Sequence, residues 1–195
     1  NDLLVQRKKN FARTTYSNHT YRFYKNQIKD LLITRKNQVW VSDITYIRTL
    51  EGFRYLSLIT DLYSRKIVGY ELSNSLSIEG CMKALKRALK LLDKSEKLIH
   101  HSDRGVQSWC KVYTGLLIKK GITISMTEVD HCYENAYAER VNGILKQEYG
   151  LEDTFNSEQQ ALKAVKEAVF IYNTDRLHTS LGFKTPDMVY FKEAV

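Results

Sequence analysis

The run Val39-Trp40-Val41-Ser42-Asp43-Ile44-Thr45-Tyr46-Ile47 is dominated by β-branched and aromatic residues, and Glu51-Gly52 behind it signals a turn, so it reads as a strand. Phe53 to Thr60 and Lys66 to Leu72 repeat the pattern on either side of a turn, Asp61-Leu62-Tyr63-Ser64-Arg65. Three strands joined this closely form an antiparallel meander. At Ser77, a good helix N-cap, the spacing changes, and Ile78, Cys81, Met82, Leu85, Ala88, Leu89 and Leu92 recur at helical intervals under a Lys/Arg face. The remainder alternates. A strand over Lys97 to His101 leads to a helix from about Val106 to Lys120 closed by Gly121, then to a strand over Ile122 to Met126 and a helix from about Asn135 to Tyr149. A last helix opens on the capping box Ser157-Glu158-Gln159-Gln160. The order βββαβαβαα predicts an α/β fold in which a mixed five-stranded sheet carries helices on both faces.

The 195 residues hold 30 Lys or Arg against 22 Asp or Glu, a net charge of +8, and 43% are hydrophobic. A chain of this length buries enough surface to sustain one core without disulfides or a structural metal. Three cysteines cannot close a disulfide framework, and no apolar run approaches the length of a membrane span or a leader. A reduced, intracellular protein is expected, and its start at Asn1 reads as a piece of a longer polypeptide. The charge is uneven. Residues 1–40 hold nine cations against Asp2 and Asp30, a net 9 − 2 = +7, whereas residues 41–195 hold 21 cations against 20 acids. Phe11, Tyr16, Tyr21, Phe23 and Tyr24 are interleaved with the early cations, a composition suited to a polyanion, although a solvated tail has it too.

Three acids stand out from the solvated majority. Asp43 interrupts the first strand, where Asp is disfavoured. Asp103 follows Leu98-Ile99-His100-His101-Ser102, at the carboxyl end of a strand expected to be parallel, where open α/β sheets bind ligands. Glu139 shares one helix stripe with Asn135, Asn142 and Lys146, opposite the apolar stripe of Ala138, Val141, Leu145 and Tyr149. Such a stripe is ordinarily just the wet side of a helix. Convergent carboxylates repel one another unless cations neutralise them, and hard oxygen donors suit Mg²⁺ or Mn²⁺. Two such ions about 3.5–4 Å apart activate the attacking oxygen and stabilise the leaving oxygen of a phosphodiester.

Competing assignments are weaker. Asp61 reads as the head of an Asx-type turn. Glu148 lies nine residues from Glu139, on the opposite helix face, and it and Glu152 read as solvated. His100, His101, His131, Cys110 and Cys132 match no paired zinc spacing, and Cys81 and Cys110 read as core residues. No anchored Cys–His pair stands out for nucleophilic catalysis.

Asp43 in Trp40-Val41-Ser42-Asp43-Ile44-Thr45-Tyr46, Asp103 in His101-Ser102-Asp103-Arg104-Gly105-Val106-Gln107 and Glu139 in Asn135-Ala136-x-x-Glu139-Arg140 resemble the DDE triad of transposases with a retroviral-integrase-like core. The "IS-three" group of bacterial insertion-sequence transposases is the best match. The 139 − 103 − 1 = 35 residues between Asp103 and Glu139 match its spacing, and Tyr172 to Pro186 is similar to its closing motif. Glu134, Tyr137 and Val141-Asn142 depart from it, where Asp, Pro and Phe-Phe are common.

The resemblance implies a ribonuclease H-like catalytic core over residues 39–190, preceded by a basic linker or arm, residues 1–38, after an absent helix-turn-helix region. It implies a DDE-type polynucleotidyl transferase in which Asp43, Asp103 and Glu139 hold two Mg²⁺ or Mn²⁺ ions. Lys146, Asn142, Arg140, Arg176 and His178 are its candidate DNA contacts, with docking of the last helix an equal reading for the motif that holds Arg176 and His178. The implied partners are DNA, at transposon ends and target, and further copies of the chain, with no membrane and no ATP. The setting would be the bacterial cytoplasm, associated with the nucleoid. Two other readings stay open: a catalytically silent DNA-binding module of the same fold, and a ribonuclease H-type nuclease acting on RNA–DNA hybrids.

Overall fold

The computed structural model describes residues 24–93, 96–103, 110–128 and 136–191. The meander forms as expected, with β1 (Val39–Thr49), β2 (Gly52–Asp61) and β3 (Ile67–Ser73) in antiparallel pairs. Helix α1 (Ile78–Ala88) follows, ending in a short 3-10 turn, Leu89–Leu91. Then come β4 (Ile99–Ser102), α2 (Lys111–Lys119), β5 (Thr123–Met126), α3 (Ala136–Glu148), β6 (Thr154–Phe155), α4 (Glu158–Thr174) and α5 (Pro186–Tyr190). The sequence order of elements is thus recovered, with the two-residue β6 and the five-residue α5 added. The expected beginnings of α2 at Val106 and α3 at Asn135 lie outside the described residues, as do His131 and Cys132.

The strand order is β3-β2-β1-β4-β5, with β4 and β5 parallel to β1. Side chains alternate across the sheet as a period of two requires. Trp40, Ile59 and Val68 pack against Ala84 and Leu85 of α1 and Leu117 of α2. Ile47, Leu58 and Ile67 pack on the other side with Val141 and Leu145 of α3 and Val165 and Tyr172 of α4. Helices therefore cover both faces. Gly69 admits the close approach of α1 to β3, since a Cβ there would stand 2.3 Å from the Ala84 carbonyl oxygen and 2.9 Å from Ala88 Cβ.

Local chemistry fixes the ends. Ser157 Oγ accepts the Gln160 N–H at 3.2 Å, and Gln160 returns a bond to the N–H of Asn156, one residue before the cap. Ser77 occupies the α1 N-cap without a side-chain bond. Asp61 closes its turn by accepting the Ser64 N–H and hydroxyl at 2.8 and 2.6 Å, and its second oxygen takes the Asn37 N–H at 2.7 Å. The second half of the expected arm is not free. Ile28 and Ile33 pack against Val39, Val41 and Leu62, and the Gln27 N–H bonds Ser125 Oγ at 2.8 Å. Residues 24–38 thus lie against the core through the half-buried Tyr24, Ile28 and Ile33, while Leu31 and Leu32 stay exposed. Among the described residues, no helix is long and apolar enough to cross a membrane.

Candidate active site

The site grows from an interruption in the sheet. Strand β4 pairs with β1 over Val39 to Ser42, and β6 pairs with it at Arg48 and Thr49. Among the described residues, 43–47 have no strand neighbour on that edge. Ser42 stands opposite Ser102 in parallel register, so the next residues, Asp43 and Asp103, leave the paired region side by side. Adjacent strands are about 4.8 Å apart, which brings the two carboxylates into each other's field. This is the carboxyl end of parallel β4, the end at which open sheets bind ligands.

Asp43 is half-buried on the face covered by α3. Its Oδ1 accepts the Ile44 N–H at 2.8 Å and its Oδ2 accepts Nδ2 of Asn142 at 2.7 Å. Burial, reinforced by the charge of Asp103 and less by that of Glu139, pushes its carboxyl up to about 7, against the pull of these two hydrogen bonds. Glu139 lies one turn before Asn142 on the same helix face and is exposed. Asp43 thus carries the charges of both other candidate acids. Among the described residues, no three His, Cys, Asp or Glu side chains converge closely enough to hold a metal ion.

The other candidates separate into two groups. Asn142 is turned inward, 6% exposed, and holds Asp43, leaving its own Oδ1 buried without a hydrogen-bond partner. Lys146 is half-buried with its ammonium 4.3 Å from the centre of the Tyr46 ring, and burial lowers its pKa. These two flank the acids. Arg140 is exposed, and its charge acts on Glu148 and His178 instead. Arg176 spends its planar fork on both oxygens of Glu148, at 2.7 Å each, so Glu148 is paired rather than simply solvated. His178 is 8% exposed, edge-on to Tyr172, and burial with the Arg176 charge lowers its pKa to about 4. The closing motif therefore docks the segment after α4 in this structure.

Two features escaped the sequence. Tyr46 and Arg48 lie beside Lys146, and as strand formers they gave no sign of it. Tyr137, a departure from the family pattern, receives the Arg65 guanidinium over its ring at 4.3 Å, which ties the first turn of α3 to the β2–β3 turn.

Known proteins agree with this architecture. Two profiles, each described as Integrase core domain, match residues 33–132 and 120–186. The chain is 37% identical over 186 residues to the "Insertion element IS600 uncharacterized 31 kDa protein" of Shigella sonnei, covering 94% of this chain and 68% of the relative. It is 31% identical over 175 residues to the "Transposase for insertion sequence element IS629" of the same organism, covering 90% and 59%. The chain thus spans about three fifths to two thirds of these relatives' lengths. Among solved structures, the simian T-cell lymphotropic virus intasome superposes with a TM-score of 0.72 at 18% identity, over 91% of this chain and 62% of that one. The HTLV-2 integrase catalytic core in complex with magnesium gives 0.64 at 18%, over 80% and 97%. The fold is that of an integrase catalytic core, ribonuclease H-like, and by the matched profiles and relatives the chain belongs to the Integrase core domain family.

Proposed function

We propose that the chain is the catalytic core of an insertion-sequence transposase, a DDE-type polynucleotidyl transferase that cuts at the element's ends and joins them to target DNA. The observation that carries this reading is the register of β1 and β4, which sets Asp43 and Asp103 side by side at the end of the sheet. Two carboxylates in such a position are costly unless a cation joins them. The buried, partnerless Oδ1 of Asn142 and the raised Asp43 carboxyl, about 7, add to the fit of this hard-oxygen set to Mg²⁺ or Mn²⁺. Asp43, Asp103 and Glu139 would hold the two ions, which when bound supply charge stabilisation at the attacking and leaving oxygens.

The remaining work falls to the chain. The Asn142 amide fixes the orientation of the Asp43 carboxylate. Lys146, carried on the Tyr46 ring, puts a positive charge beside the acids where a backbone phosphate needs one. The chemistry is in-line displacement at phosphorus, one P–O bond formed for each one broken. Water first releases a 3′-hydroxyl at the element end, and that hydroxyl then attacks the target strand, so no ATP is consumed. Residues 1–38 supply a basic segment for non-specific DNA contact, more than one copy assembles on DNA, and the setting is the bacterial cytoplasm at the nucleoid.

The test is strand transfer on the element's own ends with Mg²⁺. Asp43→Asn, Asp103→Asn and Glu139→Gln are each expected to abolish joining while DNA binding, followed by gel shift, survives. Full activity in any one variant overturns that residue's assignment.

A further inference from the structure

Of the three acids, Glu139 has the least support from its own element. It is exposed and stands in the first turn of α3, and the first turn of a helix is the one that frays, because its N–H groups have no partner within the helix. Support reaches it from the β2–β3 turn. Leu62 is buried in one cluster with Val41, two residues before Asp43, and Ala138, one before Glu139. Arg65, three residues on, holds its guanidinium 4.3 Å from the centre of the Tyr137 ring, which lies two residues before Glu139. The turn is itself fixed to β1, since the Leu62 N–H donates to the Val39 carbonyl at 2.9 Å. Arg65 has a φ of 66°, in the left-handed region where glycine is at ease and arginine is strained, and its Nη1 donates to the Leu62 carbonyl at 2.7 Å. Strain kept at such a position, with the guanidinium braced from within its own turn, points to a use for the side chain.

Resting on the transposase reading above, we infer that Arg65 and Tyr137 are positioning residues for Glu139: their cation–ring contact fixes the first turn of α3 against the β2–β3 turn, so that Glu139 is ready to complete the metal site of Asp43 and Asp103. Residues two apart lie about 200° around a helix, so Tyr137 and Glu139 face away from one another and the pair works through the backbone. The Asn142 bond to Asp43 and the Tyr137 contact stand five residues apart, about 7.5 Å along the axis. Two ties at that spacing fix a helix in direction as well as in place. A cation–ring contact at a partly exposed site biases an equilibrium roughly two- to five-fold, enough to decide whether a fraying turn is docked.

The experiment compares the whole chain with Tyr137→Leu, Tyr137→Phe, Arg65→Ala and the double variant Arg65→Ala/Tyr137→Leu, first without metal. Amide hydrogen exchange of residues 140–143, whose N–H groups bond carbonyls of the first turn, should quicken roughly two- to five-fold in Tyr137→Leu and Arg65→Ala. Tyr137→Phe keeps the ring face and should exchange at the wild-type rate. The double variant should exchange no faster than the faster single one, since both substitutions remove the same contact. Titration calorimetry with Mn²⁺ alone should then place half-saturation of the two disrupting variants higher by a similar factor, with Tyr137→Phe unmoved. Tyr137 is exposed and Arg65 half-buried, and melting temperatures close to that of the wild type confirm that the variants fold. Wild-type exchange in Tyr137→Leu or Arg65→Ala, additive effects in the double variant, or faster exchange with an unmoved Mn²⁺ titration each overturn the assignment. Equal impairment of Tyr137→Phe also overturns it, in favour of the hydroxyl. Strand transfer is measured in parallel. A wild type that joins no DNA, while the exchange and Mn²⁺ effects both appear, contradicts the transposase reading and leaves the pair standing. A wild type that joins DNA, with variants that show neither effect, removes the pair alone.

Discussion

Asp43 is a carboxyl placed where folding alone would not choose it. Its raised pKa has a sign that can be measured. A group whose folded value, about 7, stands above its ordinary 3.8 favours the folded state most below pH 4, and loses that contribution as pH rises through 7. In metal-free buffer the melting temperature of Asp43→Asn should therefore exceed that of wild type by several degrees at pH 8 and by much less at pH 5. His100 and His178, both lowered to about 4, act oppositely, losing stability as pH falls from 6.5, but they are common to both proteins and cancel in the difference. An equal gap at the two pH values would show that Asp43 is not strained. The sequence marked this residue because Asp is out of place amid Trp40, Val41 and Ile44. It could not mark Asn142 as the partner of Asp43, because helical spacing tells which face a side chain is on and not which atom it meets.

Elements position the acids through register and through close packing. Strands β1 to β3 and helices α1 to α4 were legible because each repeats its apolar residues over several turns or pleats, whereas β4 and β5, four residues each, were legible only as short runs between helical stretches. Two short pieces were not. With two residues, β6 has no periodicity, and α5, though Thr185 accepts the Met188 N–H and Pro186 starts the helix, is too short to show an apolar face. The most demanding contact between elements is at Gly69, where an added methyl would enter the Ala84 carbonyl, a backbone atom that cannot rotate away. Gly69→Ala is expected to cost about 2 kcal/mol, read as a loss of several degrees in thermal unfolding. A change within 0.5 kcal/mol, the ordinary range for surface substitutions, would mean that α1 shifts freely on the sheet.

At the scale of the whole molecule, the net +8 is two populations of charge. Residues 1–40 carry +7 and the remaining 155 are almost neutral, so the body that holds the acids has no bulk attraction for DNA. The described residues 24–38 bury apolar side chains on that body, and part of the basic segment is thereby fixed to it. Cations that matter at the site must be local, as Lys146 is, or must be divalent ions joining Asp43 to Asp103. The second possibility is open to direct observation. Crystals of the chain soaked in Mn²⁺ and measured at the manganese absorption edge should show anomalous density between the Asp43 and Asp103 carboxylates. Saturating Mn²⁺ with no density there, and the two acids turned apart, would contradict the assignment of this pair as the metal-holding centre of the transposase.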